Sequence, residues 1–396
     1  MKPNIAIIVA DTLRLDAFNS IEAKFHSFGK MGFSFYGNCI APSSWTLPSH
    51  ASLFTGMYPS EHGAHESRSV KSLDIDRIKL RMPTFVSDLN RMGYSTYAIS
   101  ANPYVSPVYG FSEFRSFMEE SYFTDVFGST VEVSRRLKPI IAKYRNVYGN
   151  SIAKIALHAM IEDPSMFMEA LASAAMLTPK SALIKAKAKL IDGWPIEKGG
   201  RRIAEKIEGM KMKTPFFLFV NLMEAHDPYV GKKSMDFDWS TPFMRSKPSS
   251  KLVSRWRRLY HIASERAYRY SARIAESVAD DNAVVLFTSD HGQLLGEHGF
   301  YGHGTVLYDE AIKVPLALRM PEEVYAAEGY QSLANVRKFV TAVARGQKGA
   351  ASLLTSKEVI SESFGIPANI SMVKGVNRRL ISKFERESVR RFSWRA

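Results

Sequence analysis

Cysteine is nearly absent from this chain of 396 residues, which has a single one at position 39. One thiol excludes an internal disulfide, which suits a reducing compartment, and we expect Cys39 to be a buried, unreactive side chain. Long apolar runs are absent too, since no window approaches the roughly 20 apolar residues that span a bilayer. The run from Ile5 to Ala10 ends at Asp11 and is too short for the core of a signal peptide. We therefore expect a cytoplasmic protein with no transmembrane segment.

Acidic side chains are outnumbered, with 39 Asp and Glu against 53 Lys and Arg, so the formal net charge is +14. A basic surface favours anionic partners, whether a charged substrate, a membrane surface or a nucleic acid. No recognised nucleic-acid-binding motif accompanies the charge, so we expect no specific nucleic-acid partner. An anionic substrate is then the expected partner, and peripheral contact with a membrane stays open.

Four apolar runs have the pattern of strands buried on both faces of a parallel sheet. They are Ile5–Ala10, Tyr94–Ser100, Pro215–Leu222 and Asn282–Thr288. Helical patterns lie between them, the longest at Lys251–Ala279. This alternation predicts an α/β fold, a three-layer sandwich with a mostly parallel central sheet flanked by helices.

The predicted domain organisation has two parts. Residues 1–320 form the catalytic unit, with a helical insertion at about 116–198 where Lys, Arg, Glu, Ala and Met are frequent and no strand pattern is convincing. A basic helix face of this kind is usually a solvated surface, and contact with a substrate or a membrane is the alternative. Residues 321–396 are expected to form a small C-terminal α+β subdomain with strands at Glu358–Ser363 and Gly375–Lys383 and a frayed end.

Chemically active side chains follow three of the predicted strands. Asp11 comes after the first strand, His226 after the third and the pair Asp290–His291 after the fourth. Ligands in open α/β sheets bind outside the carboxyl ends of the strands, so these side chains are expected to share one rim. Two carboxylates and an imidazole suit one divalent cation, which we expect to be Ca, Mg, Mn or Zn. The glycine-rich run after His291 agrees with this, because such backbone usually lets a ligand approach closely.

Thr46 lies where a loop rich in Pro and Ser gives way to an apolar helical pattern, with Pro48 in the first turn. The start of a helix favours an anionic group, because its free amides and the positive end of its dipole lie there. Thr46 is therefore either an ordinary helix cap or a nucleophile for a charged ester. In the second case its oxygen could also complete the coordination of the cation.

Five segments, in their order and spacing, resemble the motifs of the sulfatases in the alkaline phosphatase superfamily. They are Val9–Asp11 with Arg14 and Asp16, Thr46–Gly56, Gly110–Phe114, His226–Tyr229, and Ser289–Gly292 with Gly296–Gly299. The resemblance covers most of residues 4–318 outside the helical insertion. It implies an alkaline phosphatase-like fold and a sulfate or phosphate ester as substrate, with glycans among the candidates.

The resemblance also implies roles for individual residues. It implies metal ligation by Asp11, Asp290 and His291, with Thr46 as the nucleophile and a further ligand. It implies that His226 contacts the anionic group or protonates the leaving group. His303 falls near the position where many sulfatases carry a lysine that binds the anionic oxygens, so the same role is expected of it.

The chain departs from the family pattern at the nucleophile. Typical sulfatases have Cys or Ser there, within a Cys-x-Pro-x-Arg pattern that is converted to formylglycine. This chain has Thr46, which cannot yield that aldehyde, and His50 stands in the place of the arginine. Thr12 stands where many sulfatases have a second Asp. One metal is expected, since no Asp-x-x-x-His pattern supplies a second set of ligands.

Three functions remain open at this stage. The first is a sulfatase-like, metal-dependent hydrolase of sulfate or phosphate esters, in which Thr46 forms a covalent intermediate that water releases. The second is a phosphoryl-group transferase that passes the group to a glycan or a lipid. The third is a catalytically silent binding protein with this fold, and the joint presence of Asp11, His226, Asp290 and His291 argues against it.

Overall fold

The structure is a computed structural model. It describes residues 2–65, 75–120, 197–229, 248–321, 329–365 and, for the backbone alone, 389–395, with isolated positions at 157–158, 160–162, 164–165, 241, 379 and 381. Within these residues no helix is both long enough and apolar enough to cross a bilayer. The cytoplasmic location stays a prediction.

Nine strands form the central sheet, in the order β11-β10-β2-β9-β6-β1-β5-β3-β4. The strands, including two further pairs outside this sheet, are β1 (Asn4–Ala10), β2 (Ser34–Ile40), β3 (Ser95–Ser100), β4 (Ser116–Glu119), β5 (Phe216–Leu222), β6 (Ala283–Thr288), β7 (Leu294–Leu295), β8 (Tyr301–Gly302), β9 (Lys313–Arg319), β10 (Tyr330–Ser332), β11 (Thr355–Ser356), β12 (Glu358–Phe364) and β13 (Val389–Arg395). In the central sheet β9 and β11 run against the other strands, which are mutually parallel. The sheet is therefore mostly parallel, as predicted.

Helices cover both faces of this sheet. They are α1 (Leu15–Phe25), α2 (Ser27–Lys30), α3 (Thr46–Thr55), α4 (Pro59–His62), α5 (Ile75–Ile78), α6 (Phe85–Arg91), α7 (Gly200–Gly209), α8 (Ser250–Val278), α9 (Asp309–Ile312) and α10 (Val336–Ala344). Short 3-10 helices lie at Pro107–Tyr109, Glu297–Gly299, Leu333–Asn335 and Ala350–Leu354.

Strand β1 shows why three layers form. All seven of its residues are buried, and alternate side chains of a strand point to opposite faces of the sheet. Ile5, Ile7 and Val9 pack into a core with α3, α6 and α10. Ala6, Ile8 and Ala10 pack into a second core with α1, α7 and α8. The predicted three-layer sandwich is confirmed.

The segment after residue 320 packs against the main unit over its first part, and the predicted domain boundary stays a prediction. Strands β10 and β11 extend the central sheet, and Phe339 of α10 lies in the same apolar core as Phe54 of α3. The apolar side of α10 needs a partner, and the main core supplies it. Strands β12 and β13 form a separate two-stranded antiparallel sheet.

Two predictions for the C-terminal region are wrong. The described positions 379 and 381 are helical, so the strand predicted at Gly375–Lys383 does not form there. The partner of β12 is instead β13, at the end of the chain that was expected to fray. Pairing with β12 along its whole length supplies the backbone hydrogen bonds that order this segment.

The predicted start of the helical insertion, at about residue 116, falls in a strand. Ser116–Glu119 forms β4, which pairs in parallel with β3 at the edge of the sheet. The predicted helices at Val131–Val147 and Met166–Met176 lie outside the described residues. Within the third, predicted at Ile152–Ile161, the described positions 157, 158, 160 and 161 are helical.

Candidate active site

The site lies at the carboxyl ends of the central strands, where the fold gathers residues far apart in the chain. Asp11 follows β1, Asn102 follows β3, His226 follows β5 and Asp290 follows β6, while Thr46 is the first residue of α3. The strands β6, β1, β5 and β3 are neighbours in the sheet. Their polar ends therefore meet at one rim, as expected for an open α/β sheet.

Thr46 occupies the first position of α3, and the cap position before it is Trp45, which makes no side-chain capping bond. The Thr46 hydroxyl is therefore not used to cap its own helix. Its Oγ1 atom lies 3.4 Å from Asp11 Oδ2 and 3.4 Å from His291 Nε2. The side chain is buried, so the hydroxyl points into the group of candidate metal ligands instead of into solvent.

Asp11, Asp290 and His291 each offer one ligand atom to a group whose atoms all lie within 4.8 Å of one another. Asp11 Oδ1 and Asp290 Oδ2 are buried and accept no hydrogen bond from any residue that the structure describes. Unsatisfied buried carboxylate oxygens are costly. These residues fit a divalent cation, because the cation would satisfy both oxygens at once.

Burial changes the protonation of this group. It raises the pKa of Asp11 to about 7, helped by repulsion from Asp290, and it raises the pKa of Asp290 to about 7. Burial lowers the pKa of His291 to about 3, so this imidazole is neutral and can act as a ligand. A cation would displace the protons of the two acids on binding, and the neutral imidazole could ligate it without losing a proton.

Asn102 bridges the nucleophile and a ligand, a role that was missed in the sequence. Its Nδ2 donates to Asp11 Oδ2 at 2.5 Å and to Thr46 Oγ1 at 3.3 Å. Its own Oδ1 accepts from the Tyr104 N–H at 2.8 Å, which fixes the amide orientation. The position of Asn102 after β3 places it on the rim, but its partners are known only once the order of the strands is known.

His50 stands where the Cys-x-Pro-x-Arg pattern has an arginine, and its side chain is neutral. Its Nδ1 lies 3.0 Å from the Thr46 carbonyl oxygen and 3.5 Å from Asp290 Oδ2, and its Nε2 lies 3.3 Å from Asn221 Nδ2. Burial lowers the pKa of His50 to about 4. His50 therefore supports the first turn of α3 without adding a positive charge.

Backbone N–H groups that bind the Asp290 side chain, together with close packing at Gly292, hold the loop after β6 in place. The N–H groups of Thr12 and His291 donate to Asp290 Oδ1 at 3.2 and 2.9 Å, and Oδ2 accepts no hydrogen bond from the described residues. A Cβ on Gly292 would lie 2.0 Å from the Glu310 carbonyl oxygen. The glycine at this position thus serves close packing between two chain segments, and the predicted ligand approach does not explain it.

His226 and His303 lie beside the first group, with ring centroids 4.9 Å apart, and His303 lies 4.7 Å from the ring of His291. Together with Asp227 they form a second set of possible metal ligands. Its members come from positions 226, 227 and 303, so no local motif reveals it. The prediction of a single metal stays a prediction.

The protonation of His303 bears on its expected anion-binding role. Burial and neighbouring histidines hold the pKa of His303 well below its ordinary value, so the ring is neutral. Its Nδ1 lies 2.6 Å from Gln293 Oε1, which can only accept a hydrogen bond. Nε2 then carries the lone pair, and His303 would donate to an anionic oxygen only after gaining a proton.

Comparison with known proteins agrees with the fold and with the family resemblance. A family model described as Sulfatase matches residues 3–344. The choline-sulfatase of Rhizobium meliloti (strain 1021) is 24% identical over 366 residues, which cover 81% of this chain and 63% of that protein. The chain thus spans less than two thirds of that relative.

Two solved structures share the fold. The phosphonate monoester hydrolase of Agrobacterium radiobacter has a TM-score of 0.61 at 14% identity, with 99% of this chain and 85% of that chain covered. The Zn complex of the C-terminal periplasmic domain of EcEptC from Escherichia coli has a TM-score of 0.51 at 12% identity, with 95% and 92% covered. Both are alkaline phosphatase-like in fold, as predicted here.

Proposed function

This chain belongs to the sulfatase family, and from that premise we propose that it hydrolyses sulfate or phosphate esters with Thr46 as the nucleophile and without formylglycine. The proposal includes a divalent cation at Asp11, Asp290 and His291. The substrate carries a sulfate or phosphate monoester or diester group, and sugar esters are among the candidates to test.

One observation carries the proposal. Thr46 Oγ1 lies 3.4 Å from both Asp11 Oδ2 and His291 Nε2, in a buried group where two carboxylate oxygens accept no hydrogen bond from the described residues. A threonine at the start of a buried helix would ordinarily cap the helix or face a backbone carbonyl. This one is directed at the residues that suit a cation.

The cation would lower the pKa of the Thr46 hydroxyl and neutralise charge on the ester oxygens. The amide group of Asn102 donates to both Thr46 Oγ1 and Asp11 Oδ2 and so fixes their relative position. Thr46 Oγ1, which loses its proton to solvent as its pKa falls, then attacks the sulfur or phosphorus in line with the bond to the leaving alcohol. The new bond forms as the bond to the leaving oxygen breaks, which leaves the sulfuryl or phosphoryl group on Thr46.

His226 is the residue that we expect to protonate the leaving oxygen. Its Nδ1 is engaged by Asp227, with Oδ1 at 3.1 Å, and its side chain is 19% exposed, so the ring is held but accessible. A fixed imidazole at the mouth of the site is suited to proton transfer. Water then attacks the group on Thr46 and gives its proton to His226, and the bond to Thr46 breaks to release Thr46 as the alkoxide that attacked.

Turnover of a panel of esters tests this proposal. Aryl sulfate, aryl phosphate, an aryl phosphodiester, choline sulfate and sugar sulfates are each offered with Mg, Mn, Ca or Zn. We expect turnover of at least one ester by the wild type and its loss in Thr46→Ala. Thr55→Ala is the matched control, since Thr55 is a buried threonine at the other end of α3 whose Oγ1 donates to the Ala51 carbonyl at 2.7 Å.

The outcomes separate the candidate functions. Equal rates in the wild type and Thr46→Ala would contradict the nucleophile assignment. Turnover that requires an added acceptor alcohol would identify a transferase instead of a hydrolase. Binding of these esters without turnover of any, in every metal, would identify a silent binding protein.

A further inference from the structure

A buried lysine lies beside the candidate active site and has no role in the mechanism above. Lys198 is 3% exposed, and its Nζ atom is buried without a hydrogen bond among the residues that the structure describes. A buried ammonium that makes no hydrogen bond is unfavourable in a folded protein. Such a group is retained where its charge serves something that the protein alone does not contain.

The backbone around Lys198 is held rigidly. The N–H groups of Lys198 and Gly200 both donate to Glu224 Oε1, at 3.2 and 2.8 Å. A Cβ on Gly199 would lie 2.5 Å from the Glu120 carbonyl oxygen, and one on Gly200 would lie 2.6 Å from the Tyr270 ring. The start of α7 is thus fixed against Glu224, two residues before His226, and these contacts set the position of the Lys198 backbone.

Two of the electrostatic partners of Lys198, Asp11 and Asp227, belong to the candidate active site. Its ammonium is attracted by Glu224, Asp227 and Asp11, is repelled by Arg266, and lies 5.7 Å from the centre of the Tyr229 ring. Asp11 is a candidate metal ligand, and Asp227 engages His226. The field of Lys198 therefore reaches both groups of side chains between which an anionic ester would sit.

Two arginines nearby are paired with carboxylates, and two imidazoles of the site are neutral. Arg14 is paired with Asp16 and Glu297 at 2.7 and 2.9 Å, and Arg266 is paired with Glu197 at 3.1 Å. His291 and His303 are neutral because burial lowers the pKa of each. Burial lowers the pKa of Lys198 to about 8, so its ammonium still carries its charge at neutral pH.

We propose that Lys198 supplies the buried positive charge that makes the site select esters by their charge, favouring a dianionic phosphate monoester over a monoanionic sulfate ester. Lys198 is a positioning residue: its charge acts on the bound ester at a distance. This inference rests on the proposed function for the location of the substrate, and it adds the preferred class of ester.

Phenyl phosphate and phenyl sulfate are suitable probes, because they share a leaving group and a tetrahedral shape but differ by one charge. The second pKa of a phosphate monoester is about 6, so phenyl phosphate is dianionic at neutral pH. The affinity of the intact protein for each probe is measured by calorimetry, and turnover is measured separately. We expect Lys198→Met to weaken binding of phenyl phosphate on the order of tenfold more than binding of phenyl sulfate.

Lys198→Arg should restore most of the preference, because it keeps the charge. Lys206→Met is the matched control: Lys206 is an exposed lysine of α7, the helix that begins two residues after Lys198, and it is paired with Glu120, so its loss should leave both affinities unchanged. Lys198→Gln replaces Lys198→Met if the latter does not fold, as judged by circular dichroism and thermal melting.

Two results would overturn the proposal: an equal loss of affinity for both probes, which is the mark of a structural role, or no loss for either. A different result would contradict the proposed function. A wild type that binds both probes and turns over neither contradicts the hydrolase, while the charge preference and its dependence on Lys198 are still measured by calorimetry.

Discussion

Replacing Asn102 with Ala removes one amide from the centre of the candidate site. The amide donates to Asp11 Oδ2 at 2.5 Å and to Thr46 Oγ1 at 3.3 Å, and one or both acceptors are ionised when the ester is attacked. A hydrogen bond to a charged group contributes about 1.5–3 kcal/mol. At about 1.4 kcal/mol per factor of ten, Asn102→Ala should lower kcat/KM about 10- to 150-fold.

The control for Asn102→Ala is Asn335→Ala. Asn335 is also buried, and its amide also donates two hydrogen bonds, to the Leu354 carbonyl at 3.1 Å and to Ser356 Oγ at 2.8 Å, but it lies outside the site. Both variants should lose stability in urea titrations, and only Asn102→Ala should lose kcat/KM. Wild-type kcat/KM in Asn102→Ala, or the same loss in both variants, would refute the reasoning.

Three other predictions concern the metal group and the buried acids. Asp290→Asn should weaken the binding of a divalent cation, measured by calorimetry, by at least the factor of about 10–100 that the loss of a supporting residue costs. Gly292→Ala should weaken it as well, because the new Cβ would lie 2.0 Å from the Glu310 carbonyl and displace the loop; unchanged affinity would contradict this. Burial raises the pKa of Glu224 from 4.5 to about 7, so its contribution to stability is complete below about pH 4.5 and is lost as the pH rises through 7, by up to about 3 kcal/mol. In urea unfolding over this range, Glu224→Gln should lose less stability than the wild type, and an identical pH dependence would argue against the shift.

Strands with uninterrupted apolar sequences were predictable. Strands β1, β5 and β6 begin and end within one residue of their predicted limits, because continuous Ile, Val, Leu and Phe leave few alternatives to a buried strand. Strand β2 was missed, since Gly37 and Asn38 interrupt its apolar pattern and its pairing with β9 shifts register between Tyr36 and Cys39. Such a strand is defined by its neighbours more than by its own residues.

The residues of the candidate site also divide into those that the sequence predicts and those that it does not. Asp11, His226, Asp290 and His291 were found because they directly follow strands whose ends must meet at one rim. The bridge made by Asn102 could not be found, since it joins Asp11 after β1 to Thr46 on α3 across the rim. Lys198 was overlooked because it borders a stretch rich in Lys and Glu, where a solvated helix face is the ordinary interpretation.

The central claim is that Thr46 carries the transferred group during the reaction. The most direct measurement is acid quenching of the wild type during turnover of a slow ester, followed by mass spectrometry of the peptide that contains Thr46. We expect a sulfuryl or phosphoryl group on Thr46 that disappears when the substrate is exhausted and does not form in Thr46→Ala. Steady turnover with no adduct on Thr46, or with the adduct on another residue, would contradict it.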